Sequence, residues 1–192
     1  MKYFYALLLL LLNMPNGFAQ QKAWNINPQR SKLAFITTHL KNNITGYLDQ
    51  FTAKISAAKA DLSDASIEIS ANVYSFNSSV SATDQRFMAA EFFDVAQYPV
   101  MTYKSTAVIK TNVNTYRISG LLELHGVTEF VSLVMKYNNS FYDSSLILHP
   151  VSIQIFADLD RQLFNIGKTY SPHLIANKLQ LIADWEFMLA DN

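Results

Sequence analysis

Residues 178–187 read "KLQLIADWEF", and their side chains divide with period two. Leu179, Leu181, Ala183, Trp185 and Phe187 fall on one face, with Lys178, Gln180, Ile182, Asp184 and Glu186 on the other. Successive side chains of an extended chain point to opposite faces, so the pattern predicts a half-buried β-strand. The same alternation fills "VSIQIFADLD" (151–160), where Val151, Ile153, Ile155, Ala157 and Leu159 oppose Ser152, Gln154, Phe156, Asp158 and Asp160. In "SIEISANVYS" (66–75) it sets Ile67, Ile69, Ala71 and Val73 against Glu68, Ser70, Asn72 and Tyr74. "YRISGLLEL" (116–124) and "FVSLVMKY" (130–137) alternate too, with more apolar residues on both faces. Polar turns such as "KTNVNT" (110–115) and "YNNSFYDSS" (137–145) separate the runs. From Leu33 to Phe187 the chain therefore reads as all-β and antiparallel, with about eight strands.

One window departs from this pattern. "SATDQRFMAAEFFDVAQYP" (81–99) has good helix formers at its centre and no β-branched residue there. It predicts a short helical connection near 83–91, capped by Ser81 or Thr83, with Phe87 and Phe92 or Phe93 packed inward. Tyr98-Pro99 must be extended, and the next strand starts in "VMTYKSTAVI" (100–109).

Closing the sheet on itself removes the exposed edges through which β proteins aggregate. Eight strands enclose an interior that side chains fill or that holds one small ligand, and periodicity does not separate these two. A packed sandwich is the alternative architecture. In a barrel Trp185 points inward with its strand face, whereas Trp24, beside Asn25 and Asn27, is expected nearer a rim.

The amino terminus reads as a targeting segment. Lys2 precedes an apolar run ending in six consecutive leucines, and Asn13, Pro15, Asn16 and Gly17 break it. Gly17-Phe18-Ala19 places small residues at the −3 and −1 positions of a cleavage site after Ala19. The run is about ten residues, half of what spans a bilayer. The expectation is a signal peptide over 1–19 and a periplasmic or secreted domain over 20–192, without stable membrane insertion. No cysteine follows the junction, so a lipoprotein anchor is excluded there.

Fifteen basic and fifteen acidic side chains balance without a basic stripe, which leaves no electrostatic footprint for nucleic acid. The absence of cysteine removes thiol catalysis and thiolate metal sites. The histidines, His39, His125, His149 and His173, form no metal-ligand spacing, and no nucleophile elbow, phosphate loop or dinucleotide fingerprint is present. No metal and no cofactor is expected. The positive signal is thirteen phenylalanines, ten tyrosines and two tryptophans, which make a core or line an apolar pocket.

Several blocks, in order, carry a resemblance. "WNINPQRSKLAFITTHL" (24–40) is similar to an opening strand of pattern Trp-x-Ile-Asp, His-Ser, Phe-x-x-x-His; "GYLDQF" (46–51) follows. "EFFDVAQYPVMTYKST" (91–106) matches an Asp-Phe-Phe-Asp…Tyr-Pro block, "ISGLLELHGVTEFVSL" (118–133) a His-Gly-Val-Thr block, and "RQLFNIG" (161–167) an Arg-x-x-Phe-Gly-Ile block. The chain resembles the YceI-like family, exported lipocalin-like barrels associated with binding polyisoprenoids and other long amphiphiles, from about Trp24 to Phe187. It departs from the family at Arg30-Ser31 (His-Ser), at Thr83 and Arg86 (arginine and histidine) and at Asn165 (glycine).

The resemblance implies a non-enzymatic carrier for a long apolar amphiphile: a polyisoprenoid, an isoprenoid quinone or a fatty amide. Phe92 and Phe93 become a plug at one barrel end. His39, Asp84, Arg86, His125 and Arg161 become candidates to orient a head group, and Trp185 a tail contact. As partners it implies such a lipid, and it admits a homodimer. The alternatives are an enzyme acting on the lipid with His39 or His125 as general base, or a packed exported module.

Overall fold

The computed structural model describes residues 22–59, 62–137 and 151–190. The signal-peptide reading over 1–19, most of the turn 137–145 and His149 lie outside them.

The alternating runs are strands, and all their pairings are antiparallel. The strands are β1 (Lys22–Ile26), β2 (Lys32–His39), β3 (Asn42–Leu48), β4 (Phe51–Ala57), β5 (Ser66–Asn72), β6 (Phe76–Asn77), β7 (Val100–Asn112), β8 (Thr115–Leu124), β9 (Val127–Tyr137), β10 (Val151–Asp160) and β11 (Ile175–Leu189). Eight of them close a ring in the order β1-β4-β5-β7-β8-β9-β10-β11, and β1 returns to β11 through Trp24↔Leu189 and Ile26↔Phe187. The other three prolong bent staves. β1 continues through Pro28–Arg30 into β2, which stays on β11, while β3 lies on β2 and β6 on β3. Among the described residues the barrel is therefore eight staves built from eleven strands.

The predicted inward faces are buried. Ile67, Ile69, Ala71 and Val73, the five residues from Val151 to Leu159, and the five from Leu179 to Phe187 all enter one core. Burying each large apolar side chain contributes about 1.5–3 kcal/mol, which fixes the register of every stave, since a one-residue slip would expose the whole set. Leu121, on the outward face of β8, is exposed, so the apolar excess read there lies partly on the surface. Trp24 differs from expectation. It is 4% exposed and packs in the core, because β1 lies between β4 and β11 and turns its Trp24 face inward.

The helix also differs from its predicted bounds. It is α1, Ser81–Met88, earlier than 83–91, because Ala89 leaves helical geometry (φ −66°, ψ 162°). Neither Ser81 nor Thr83 caps it. Its N-cap is Val80, and Asp84 accepts from the Ser78 amide (2.7 Å) and hydroxyl (2.6 Å) instead. The segment that follows, Ala89–Tyr98, folds in tight turns closed by Phe92 N–H to Ala89 O (2.9 Å) and Tyr98 N–H to Asp94 O (2.8 Å).

α1, the β2–β3 and β8–β9 turns and the β10–β11 connection all gather at one end of the barrel. At that end β9 and β10 part: they pair only over Val134–Tyr137 and Ile153–Phe156, while Val127–Leu133 pairs with β8. His125 spans the parted seam, its Nδ1 donating to Phe164 O (2.9 Å).

Candidate functional site

A cavity of about 240 Å³ opens at this end, beneath α1. Its inward wall comes from strand positions of the alternating pattern: Thr37 and His39 of β2, Ile44 of β3 and Ile175 of β11. Its outer wall comes from α1 and the turns after it, through Ala82, Thr83, Arg86, Phe87 and Phe92. A bulge in β11 between Ile175 and Leu179, opposite β2, makes room there, and Thr37 donates its hydroxyl to Lys178 O (3.3 Å) across the bulge.

The floor of the mouth is aromatic. Phe92 and Phe93 are each 1% exposed. Phe87 lies 5.0 Å from Phe92 and 5.0 Å from Phe76, while Phe93 sits 6.0 Å from Phe76 and 5.8 Å from Phe35. Each such ring pair adds about 0.5–1.5 kcal/mol beyond its burial, so the plug is held as a unit. Gly46 lets Phe76 reach it, since a Cβ there would lie 2.1 Å from the Phe76 ring. Tyr170 covers Phe92 from the β10–β11 connection (5.1 Å) and donates its hydroxyl to Glu91 (2.8 Å). That hydrogen bond, aided by burial, raises the Tyr170 pKa.

The candidate residues read from the sequence divide on this geometry. His39, Arg86 and Phe92 meet at the cavity. Phe93 backs it from within the core. Asp84 is bound to Ser78. Arg161, 2% exposed, donates to the carbonyls of Ala176 (3.0 Å), Ile166 (2.9 Å), Gly167, Tyr170 (2.8 Å) and Ile175 (3.0 Å). All five guanidinium N–H groups are engaged, and burial lowers the Arg161 pKa against the pull of Asp160. Arg161 thus ties together the loop that carries Tyr170 and the start of β11 that carries Ile175.

His125 occupies the first position of a two-residue hairpin, with positive φ at both His125 (53°) and Gly126 (70°), as the twist of a tight β-hairpin demands. Tyr98 packs on its ring at 4.8 Å. Its Nδ1–H is fixed by Phe164 O, so Nε2 is left as a buried acceptor with no partner among the described residues. Trp185 points into the barrel, far along β11 from the mouth.

Thr37, Ile44, Ala82, Thr83 and Ile175 were not among the site candidates read from the sequence. Thr37 and Ile175 lie on strands whose mouth-end bulge no periodicity reports, and Tyr170 sits in a connection without a repeating pattern. Thr83 stands where the resembled motif has arginine, which was the one available signal.

A larger concavity, about 520 Å³, lies on the outside of the wall over β4, β5 and β7, paved by Thr52, Ser70 and Thr102 and crossed by the Lys104–Glu68 ion pair (3.3 Å). It lies open on the outer face of the sheet, and it shares no residue with the mouth. Among the described residues no group of three or more His, Cys, Asp or Glu is placed to hold a metal ion, and no helix is long and apolar enough to cross a membrane.

Known proteins share this architecture. The fold superposes on Burkholderia cenocepacia BcnA with a TM-score of 0.76 at 18% identity, covering 84% of this chain and 98% of that one. It matches a polyisoprenoid binding domain from Saccharophagus degradans with a TM-score of 0.65 at 14% identity, covering 87% and 98%. A UPF0312 protein of Shewanella denitrificans is 28% identical over 104 residues, 54% of either chain, and one of Pseudomonas syringae pv. syringae is 32% identical over 92 residues, 48% of this chain and 47% of that one. The chain thus spans about half the length of the curated relatives it matches. Residues 24–187 match the YceI-like domain, the whole of the barrel from its first tryptophan to the end of its last inward face. The chain belongs to the YceI-like family.

Proposed function

We propose that the protein is an exported, non-enzymatic carrier that holds a long apolar amphiphile (a polyisoprenoid, an isoprenoid quinone or a fatty amide) with its tail in the barrel and its head at the α1 mouth. The observation that carries this reading is the mouth itself: a half-enclosed cavity over the barrel end that sets Ile44, Phe87, Phe92 and Ile175 beside two basic side chains, His39 and Arg86. The name of the structurally similar Saccharophagus degradans domain, a polyisoprenoid binding domain, supports the same class of ligand.

Energetics supports it as well. Each buried methylene contributes ~0.8 kcal/mol, so ten give ~8 kcal/mol before association costs, and few polar contacts are needed. Binding without turnover fits the histidines: among the described residues neither His39 nor His125 holds a hydrogen bond to a hydroxyl or carboxylate side chain, and the Nδ1 of His125 is occupied by a main-chain carbonyl.

Blocking the mouth tests the site. Ala82→Trp, at an exposed position of α1 on the cavity wall, leaves the melting temperature unchanged and lowers affinity for a polyprenyl or fatty-amide probe by about tenfold or more. Unaltered uptake would place the entrance elsewhere. The export arm rests on Lys2, the leucine run and Gly17-Phe18-Ala19. Amino-terminal sequencing of the protein recovered from its cells is expected to start at Gln20, and an intact Met1 would remove that arm.

A further inference from the structure

The polar side chains at the mouth can all donate hydrogen bonds, and most of that capacity is unspent. On α1, Ala82 and Arg86 stand one turn apart, as do Thr83 and Phe87, so the four share the face toward the cavity. On the opposite wall Thr37 and His39, two residues apart on β2, point to the same side. Thr37 gives its hydroxyl to Lys178 O (3.3 Å). Among the described residues the Arg86 guanidinium, the His39 ring and the Thr83 hydroxyl hold no hydrogen bond, and Arg86 makes no ion pair. The nearby carboxylates are engaged elsewhere. Asp84 accepts from the Ser78 amide and hydroxyl, Glu91 accepts from Tyr170, and no acidic residue lines the cavity. Arg86 differs in this from Arg161, which spends its donors on carbonyls, and from Arg30 and Lys178, which pair with Glu186 (3.5 Å) and Asp158 (2.8 Å).

Such a lining selects a head group by charge and by acceptors. Arginine presents a permanently charged, planar fork of N–H groups that fits an oxyanion, and histidine carries a ring N–H in either tautomer. Bonds from charged donors to an anion are about twice as strong as neutral ones. An amide head needs an acceptor for its own N–H, and a quinone head brings carbonyls but no charge. A carboxylate turns two coplanar oxygens to one wall, whereas the tetrahedral oxygens of a phosphate face β2 and α1 together. We infer that the mouth is an anion site and that the ligand is a polyisoprenoid ending in a phosphate. Arg86, Thr83 and His39 hold the phosphate, and Ile44, Phe92 and Ile175 seat the first isoprene units. This rests on the carrier reading and narrows it to one of its three ligand classes.

The test titrates the protein with a polyprenol, with the monophosphate of the same chain length and with inorganic phosphate. The monophosphate is expected to bind about tenfold or more tightly than the polyprenol, and inorganic phosphate far more weakly than either. In Arg86→Gln and in His39→Gln the ratio of monophosphate to polyprenol affinity falls about tenfold, and Arg86→Lys, which keeps the charge and loses the fork, restores part of it. Each variant meets the same two probes, so the ratio is free of their different solubilities, and thermal melts report the fold. Should a variant fail to fold, the wild-type affinities decide alone. A polyprenol that binds the wild type as tightly as its monophosphate, or a ratio unchanged in both glutamine variants, overturns the inference and leaves the carrier reading standing. Inorganic phosphate that binds as tightly as the lipid phosphate would make this a site for the free anion and overturn it as well. If neither lipid binds, nor a fatty amide offered beside them, both readings fall.

Discussion

At the scale of single residues, the buried polar groups separate by what they hold. Arg161 gives every N–H to main-chain carbonyls of the β10–β11 connection and of the first residues of β11, so its charge ties a loop to a strand. Tyr103 bridges two carbonyls, and burial pushes its hydroxyl pKa well above the ordinary phenol range. Because the folded value lies above the unfolded one, near 10, the stabilisation is complete below about pH 10 and is lost as the pH rises beyond it. Tyr103→Phe is expected to cost about 1 kcal/mol at neutral pH and to flatten the alkaline loss of stability. Urea unfolding of both proteins across that range checks this, and parallel profiles would contradict it. Period two placed Trp185 and Phe187 on the inward face correctly, because alternation reports burial directly. It could not tell that Arg161 spends its donors on carbonyls or that Asp84 binds Ser78, since such bonds depend on loops without a repeat.

Among the elements, the join between α1 and the barrel decides what the mouth can be. The plug of Phe92 and Phe93 was legible in Glu91-Phe92-Phe93-Asp94, a charged and aromatic knot ahead of a strand. Its partner Phe76 was not, because β6 is two residues long and too short to show a period. Gly46 connects the two. A methyl there meets the Phe76 ring, and that ring is held between Phe87 and Phe93 and has nowhere to swing. Gly46→Ala is therefore expected to lower stability by about 1–3 kcal/mol, with Gly46→Ala/Phe76→Leu recovering part of it. Thermal or urea melts of the single and double variants decide this. A single variant as stable as the wild type would mean that the plug yields freely. The helix shift from 83–91 to Ser81–Met88 has a similar origin: helix propensity extends through Ala89 and Ala90, but burial of Phe92 and Phe93 bends the chain first.

For the whole molecule, the antiparallel staves could be read from alternation, whereas their closure, against a packed sandwich, is decided by β1 returning to β11. The bends that turn eleven strands into eight staves, and the parting of β9 from β10 toward the mouth, could not, because they are set by contacts between staves. These features leave a cavity opening beneath α1 at one end of the barrel, where the carrier reading seats the head of its ligand. The most direct test is native mass spectrometry of the protein purified from its own cells without detergent. A carrier is expected to appear with a non-covalent adduct of lipid mass that vanishes on denaturation and is recovered by organic extraction. A protein that carries no adduct, and takes up no polyprenyl or acyl probe when offered one, would contradict the account.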